Sequence, residues 1–221
     1  MCKIKDLICS KDFDYLQPYF YNNPYALRCE LGIGTGEEYT KCAYKRALEI
    51  FDILFDTTPD AIFFNYWLTD YSYTTGEIEA DTDDWKRIAN TEKRMLKRLI
   101  TYQQKYRHIA VKNLSVYSDP ETIKRHRIVC FSDGKPFKHK KLIKEQIEER
   151  GFDTSFVSFK NGCILSIYDD RGCDVVFAEK DKMKAFYLLL EPYFLDYDKE
   201  EMERRYKEWP NIKDRQSSRP F

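Results

Sequence analysis

Long apolar runs are missing from this chain. No stretch approaches the ~20 residues needed to cross a bilayer as a helix, so a helical membrane span is excluded by composition. Glycine and proline are scarce, eight of each in 221 residues, which argues against a disordered chain or a loop-rich repeat. Histidine is scarcer still, with three. The seven cysteines, at positions 2, 9, 29, 42, 130, 163 and 173, contain no C-x-x-C pair, so the ligand spacing of a zinc site is absent. An odd set of scattered thiols fits a reducing compartment better than a disulfide framework. The opening MCKIKDLICS has no apolar run long enough for a signal peptide. A cytoplasmic protein with no metal and no cofactor is expected.

Apolar residues make up 43% of the chain and charged residues 33%, enough for a packed interior beneath a well-solvated surface. Aromatic content is high, with 17 Tyr and 15 Phe; the Phe belong in a core, while some Tyr are suited to an interface. The net charge of zero hides a strong polarity. Residues 1–85 carry 7 Lys and Arg against 16 Asp and Glu, residues 86–150 carry 18 against 7, and residues 151–221 carry 12 against 14. Such a division bears on partners rather than on fold.

Hydrophobic periodicity predicts an α+β protein with a mixed or largely antiparallel sheet. YALRCELGI (25–33) reads as a strand. Thr35-Gly36-Glu37-Glu38 reads as a capping box, opening a helix to about Phe55 on an apolar stripe of Tyr39, Ala43, Ala47, Ile50, Phe51 and Leu54. AIFFNYWL is a strand, and the acidic, aperiodic segment 69–84 a surface loop. Helix is expected from about Trp85 to Tyr106, a strand at RIVCF (127–131), and a basic amphipathic helix at KKLIKEQIEERG closed by Gly151. A β-meander follows: TSFVSFK and CILSIY joined by Asn161-Gly162, then CDVVFA. Two helices, about 181–190 and 199–208, complete the pattern, the second capped by Asp198 with Glu201 as its reciprocal partner. One domain is expected over 1–209, with a weak seam near 113–124 and a tail from Pro210 that should fray.

Three constellations could carry chemistry. In IYDDRGCDVV, Asp169, Asp170, Arg171 and Gly172 have the composition of a turn, with Asp bonding its own backbone and Gly supplying positive φ. Asp174 falls inside the following strand and needs a partner; Arg171 is the nearest cation. The same carboxylates, Asp169, Asp170 and Asp174, could instead collect a divalent cation. The turn reading is preferred because no further group converges on a substrate position. Second, Gly32, Gly34 and Gly36 between a strand and a helix are similar to the first motif of a Rossmann-type methyltransferase, and would place S-adenosylmethionine at a helix N-terminus. NNPY (22–25) resembles the amino-methyltransferase tetrapeptide, yet it lies directly before the glycines, and Glu37 and Glu38 crowd the helix start with negative charge. Third, the basic segment 86–150 could bind a phosphate backbone, although aromatic interleaving is sparse. His108, His126 and His139 sit among cations and are expected at the surface.

NPYALRCELG (23–32), YDDRGCDVV (168–176) and LDYDKEEMERRY (195–206) together resemble an uncharacterised bacterial domain family, a domain of unknown function of which some members carry an Rhs label. Cys29 stands where the pattern has Phe, and Tyr193-Phe194 where it has Trp. The resemblance implies no catalytic residue. It implies a neighbourhood of polymorphic toxin loci, whose small cytosolic immunity proteins bind and block a toxin domain. On that basis the chain is expected to be a non-enzymatic, protein-binding immunity protein. Tyr71, Tyr73, Glu77, Glu79, Asp81 and Asp83 are its expected contact residues, since carboxylates can imitate phosphates before a basic cleft and tyrosines supply contact area. The alternatives are a metal-carboxylate or S-adenosylmethionine-dependent enzyme and a nucleic-acid-binding protein.

Overall fold

Val, Ile and Phe occupy successive positions of the most apolar segments, and such segments form strands buried on both faces. A computed structural model describes residues 3–9, 19–69, 82–114, 123–148 and 153–207. Helices α1 (Lys3–Cys9) and α2 (Tyr19–Asn22) precede strand β1 (Ala26–Glu30). Then come α3 (Gly36–Leu54), β2 (Ala61–Thr69), α4 (Thr82–Lys105), β3 (Arg107–Leu114), β4 (Ile123–Phe131) and α5 (His139–Ile147). Strands β5 (Asp153–Ser158), β6 (Cys163–Ile167) and β7 (Gly172–Phe177) lead to α6 (Lys180–Leu190) and α7 (Lys199–Lys207). The seven strands form one sheet in the order β1-β7-β6-β5-β2-β4-β3. Every neighbouring pair is antiparallel. The expected α+β class and C-terminal meander are present.

One face of the sheet is covered by α3, α4, α5 and α6. Phe64 packs on Tyr102 of α4, and Phe156 meets Phe51 of α3 edge to face. Of the α3 stripe expected from its 3.6-residue period, Ala43, Ala47, Ile50, Phe51 and Leu54 are buried, while Tyr39 is half-buried. Burial of each large member contributes about 1.5–3 kcal/mol. The opposite face is covered from α1 and α2, whose Ile4, Ile8, Tyr19 and Phe20 are buried.

Four local expectations change. Strand β3 and the start of β4 were not legible. Arg107, His108, Ile109, Ala110 and Lys112 are exposed and Val111 is buried, so this edge strand lacks the alternation that marks a half-buried one. Most of the seam expected near 113–124 lies outside the described residues, between the end of β3 at Leu114 and the start of β4 at Ile123. Helix α4 begins at Thr82, so Asp83 lies in its first turn rather than in a loop. The β5–β6 connection is a four-residue loop closed by the Ser158–Cys163 pair, not a two-residue turn. There the Asn161 side chain donates through Nδ2 to the Leu54 carbonyl at 2.9 Å, binding the loop to the end of α3. Thr35 is the N-cap of α3 as expected, but its side chain makes no capping hydrogen bond. Gly151 lies outside the described residues.

Candidate functional site

Strand register builds a polar row on the face beneath α2. Arg28 of β1 is opposite Asp174 of β7, Asp174 opposite Ser166 of β6, and Ser166 opposite Ser155 of β5. Directly opposed residues share a face, so an arginine, an aspartate and two serines cross four strands, all of them buried. Arg28 is 6% exposed and Asp174 1%. Arg28 Nε donates to Asp174 Oδ1 at 2.9 Å and Nη2 to Oδ2 at 3.2 Å, a two-pronged contact. The Phe20 amide donates to Asp174 Oδ2 at 2.9 Å. Arg28 Nη1 reaches Asp198 Oδ2 at 3.4 Å, and the Tyr21 hydroxyl donates to Asp198 Oδ1 at 3.0 Å. The rings of Tyr21, Phe20 and Tyr168 stand 4.6, 5.1 and 5.8 Å from the guanidinium carbon. Burial pushes the Asp174 carboxyl above the ordinary carboxylate range, and the Arg28 hydrogen bond and charge offset only part of that push.

The β1 end of the row opens into a cleft of about 670 Å³, lined by Arg28, Glu30, Tyr39, Tyr168, Asp169, Arg171 and Leu195. The β6–β7 turn forms one lip and holds itself. Asp169 Oδ1 accepts the Arg171 amide at 2.8 Å, and Oδ2 accepts Arg171 Nε at 2.8 Å. The Leu31 amide donates to the Arg171 carbonyl at 2.9 Å, joining this lip to the segment after β1. Gly172 is required for space rather than for positive φ. A Cβ there would collide with the Tyr168 hydroxyl and lie 2.7 Å from the Cys29 carbonyl oxygen. Likewise a Cβ at Gly32 would meet the Tyr39 ring. The outer edge of β1 is covered: the Arg28 amide donates to Met202 Sδ at 3.2 Å and its carbonyl accepts the Leu195 amide at 3.3 Å.

A family model described as Domain of unknown function (DUF3885) matches residues 7–198. The chain belongs to the DUF3885 family. Neither a curated protein nor a solved structure matches it.

In this DUF3885 domain, Asp169, Asp170, Arg171 and Gly172 stand at the lip of the cleft, while Asp174 lies behind its wall. The expected Arg171–Asp174 pair is not formed. Arg171 leans back on Asp169, and Asp174 is taken by Arg28 because β1 pairs with β7. The three aspartates therefore do not converge as metal ligands. Among the described residues no group of three or more His, Cys, Asp and Glu is placed to hold a metal ion. Gly32, Gly34 and Gly36 do join a strand to a helix, but β1 is an edge strand paired antiparallel to β7, and the parallel crossover of a Rossmann unit is not built around them. His126 and His139 are not surface residues as expected: His126 is buried beside Tyr66, and His139 stacks on Phe51 at 4.4 Å, where burial first and Lys140 second push its pKa down. In the basic segment, Arg98 of α4 bonds Glu145 of α5, and Lys141 and Lys144 pair with Glu145 and Glu148 at 3.7 and 3.8 Å. Tyr71, Tyr73, Glu77, Glu79 and Asp81 lie outside the described residues. No helix among the described residues is long and apolar enough to cross a membrane.

The Asp198–Glu201 capping pair is also replaced. Asp198 turns inward to Arg28 and Tyr21, and Glu201 Oε1 accepts from Arg204 Nη2 and Arg205 Nε at 2.7 and 2.8 Å. Burial opposes the Glu201 anion, but the two arginines outweigh it and lower its pKa from 4.5 to about 2. The folded state thus resists protonation of Glu201 more than the unfolded chain does. Its contribution is complete above 4.5 and lost as pH falls toward about 2. Glu201→Gln should accordingly be less stable than the parent at neutral pH, with the gap closing over that acid window in urea titrations. A gap independent of pH would show that the carboxylate charge is not what holds Arg204 and Arg205.

Arg28, Arg205, Tyr21 and Tyr168 carry much of the site without having been singled out, and Asp198 was expected only as a helix cap. The signal for Arg28 was present: a cation within the apolar run ALRC, like Asp174 within CDVVF, is a charge in a strand that is otherwise buried. Two such residues of opposite sign are candidates for one another.

Proposed function

We propose that this DUF3885 protein is a non-enzymatic binding protein, the cytosolic immunity partner of an Rhs or other polymorphic-type toxin. The observation that carries the reading is a pair of presented tyrosines. Tyr197, from the LDYD motif, is 87% exposed, and it precedes Asp198, which accepts the hydroxyl of the half-exposed Tyr21. Tyrosine offers large, stiff contact area at low entropic cost and is enriched at interfaces. The buried Arg28–Asp198 contact beneath them fixes their platform before any partner arrives. The charges around the YDDRG motif support the same reading, since Asp169 and Asp174 are engaged by Arg171 and Arg28. The acidic segment with Tyr71, Tyr73, Glu77, Glu79, Asp81 and Asp83 is a second proposed contact region. Co-expression with the toxin domain that this proposal places beside the gene tests it. A stable complex and rescue from growth arrest are expected, with Tyr197→Ala weakening the complex about tenfold or more. Absence of both complex and rescue rejects the proposal.

A further inference from the structure

The cleft beside this tyrosine pair is lined by two cations, Arg28 and Arg171, and two carboxylates, Glu30 and Asp169, and Asp170 stands between Asp169 and Arg171 on its lip. Of its cations, Arg28 is engaged by Asp174 and Asp198, and Arg171 by Asp169. Two carboxylates are left over. Glu30, which lines the cleft, and Asp170, on its lip, make no side-chain hydrogen bond or ion pair among the described residues. Both are half-buried. Between them stands Tyr39, whose hydroxyl is pushed up by burial first and then by Asp170, Asp169 and Glu30, so the negative field reaches into the cleft. The ring of Tyr39 fills the notch left by Gly32, and the ring of Tyr168 sits over Gly172 on the opposite wall. Two half-desolvated carboxylates flanked by two aromatic rings suit a guanidinium or ammonium group, through charge-assisted hydrogen bonds and cation–π contact. The volume, about 670 Å³, admits a long side chain together with part of the backbone that bears it.

We infer that this cleft receives a basic side chain, arginine or lysine, from the protein partner, with Glu30 and Asp170 as its anionic contacts and Tyr39 and Tyr168 as its walls. The inference rests on the binding-protein reading above and names the part of the partner that would dock here. It complements Tyr21 and Tyr197, which offer apolar contact beside the cleft.

The test titrates the protein, by ¹H–¹⁵N NMR at low ionic strength, with acetyl-Arg-Gly-Arg-amide, acetyl-Lys-Gly-Lys-amide and acetyl-Glu-Gly-Glu-amide. The basic peptides are expected to shift amides of residues 30–35 and 168–171, saturably. The acidic peptide is expected to leave those amides in place. Glu30→Gln/Asp170→Asn, isosteric at both positions, should abolish the shifts, and Tyr39→Leu should weaken binding severalfold. Equal response to acidic and basic peptides, shifts confined to other acidic surfaces, or an unaltered response in the double variant would each overturn the assignment. The toxin complex separates the two proposals. If it forms equally well with Glu30→Gln/Asp170→Asn, the cleft assignment falls and the binding function stands. If no toxin complex forms, the peptide titration still decides the cleft.

Discussion

Asp174→Ala is expected to lower the unfolding free energy by about 3–5 kcal/mol, the cost of leaving one member of a buried ion pair alone. The substitution strips the Arg28 guanidinium of both its bonds to Asp174 and the Phe20 amide of its acceptor. Asp198 remains near Arg28, but at 3.4 Å and on a single nitrogen it cannot replace a two-pronged contact. For a chain of this length the melting temperature should fall on the order of 10 °C. A companion variant separates charge from packing. Arg28→Met/Asp174→Leu removes both ions together, and apolar replacement of a buried pair is often neutral or stabilising. The pair variant should therefore recover most of the loss. Were Asp174→Ala to melt with the parent, the carboxylate would have to be solvated, contrary to its burial.

The second large effect belongs to Arg205, which is 2% exposed on α7. Its Nη1 donates to the carbonyls of Phe20, Asn23 and Ala26 at 2.8, 3.1 and 3.3 Å, and its guanidinium carbon lies 4.1 Å from the Phe20 ring centre. One cation thus collects carbonyl groups released where α2 ends and β1 begins, and fastens both to the C-terminal helix. Arg205→Met keeps the apolar stem but leaves those carbonyls without their donor. Each buried group so exposed costs about 1–3 kcal/mol, and a total near 3 kcal/mol is expected by urea unfolding. Hydrogen exchange should locate the damage, with faster exchange in residues 19–30 and little change in β2 and β5. Because Asp174 holds the Phe20 amide and Arg205 the Phe20 carbonyl, the two substitutions should not add: the double variant should lose less than the sum. Strict additivity would mean that the two contacts do not act through α2.

Local pattern was enough for much of the fold. The helical stripe from Ala43 to Leu54, the strand AIFFNYWL and the meander ending in CDVVF all announce themselves through spacing, because the period of a helix or strand is a property of neighbouring residues. The turn at Asp169 was legible for the same reason, since Asp169 bonds the backbone amide two residues on, although Arg171 was expected to bond Asp174. Strand β3 was hidden because an exposed edge strand need not alternate. Gly172 was legible as a turn residue but for the wrong reason: its requirement is set by the Tyr168 hydroxyl and the Cys29 carbonyl rather than by its own φ.

By itself, then, the sequence determined most of the elements from β1 onward, their order and the presence of two opposite charges inside apolar strands, but not α1, α2 or β3. Which charge meets which was decided by the sheet. Placing β1 beyond β7 brings Arg28 to Asp174 across 146 positions, and the return of the LDYD segment adds Asp198 to the same guanidinium. Periodicity is local, whereas strand order follows from burying all the apolar faces at once. The cleft, with Glu30 on its wall and Asp170 at its lip, exists only after that global arrangement is made.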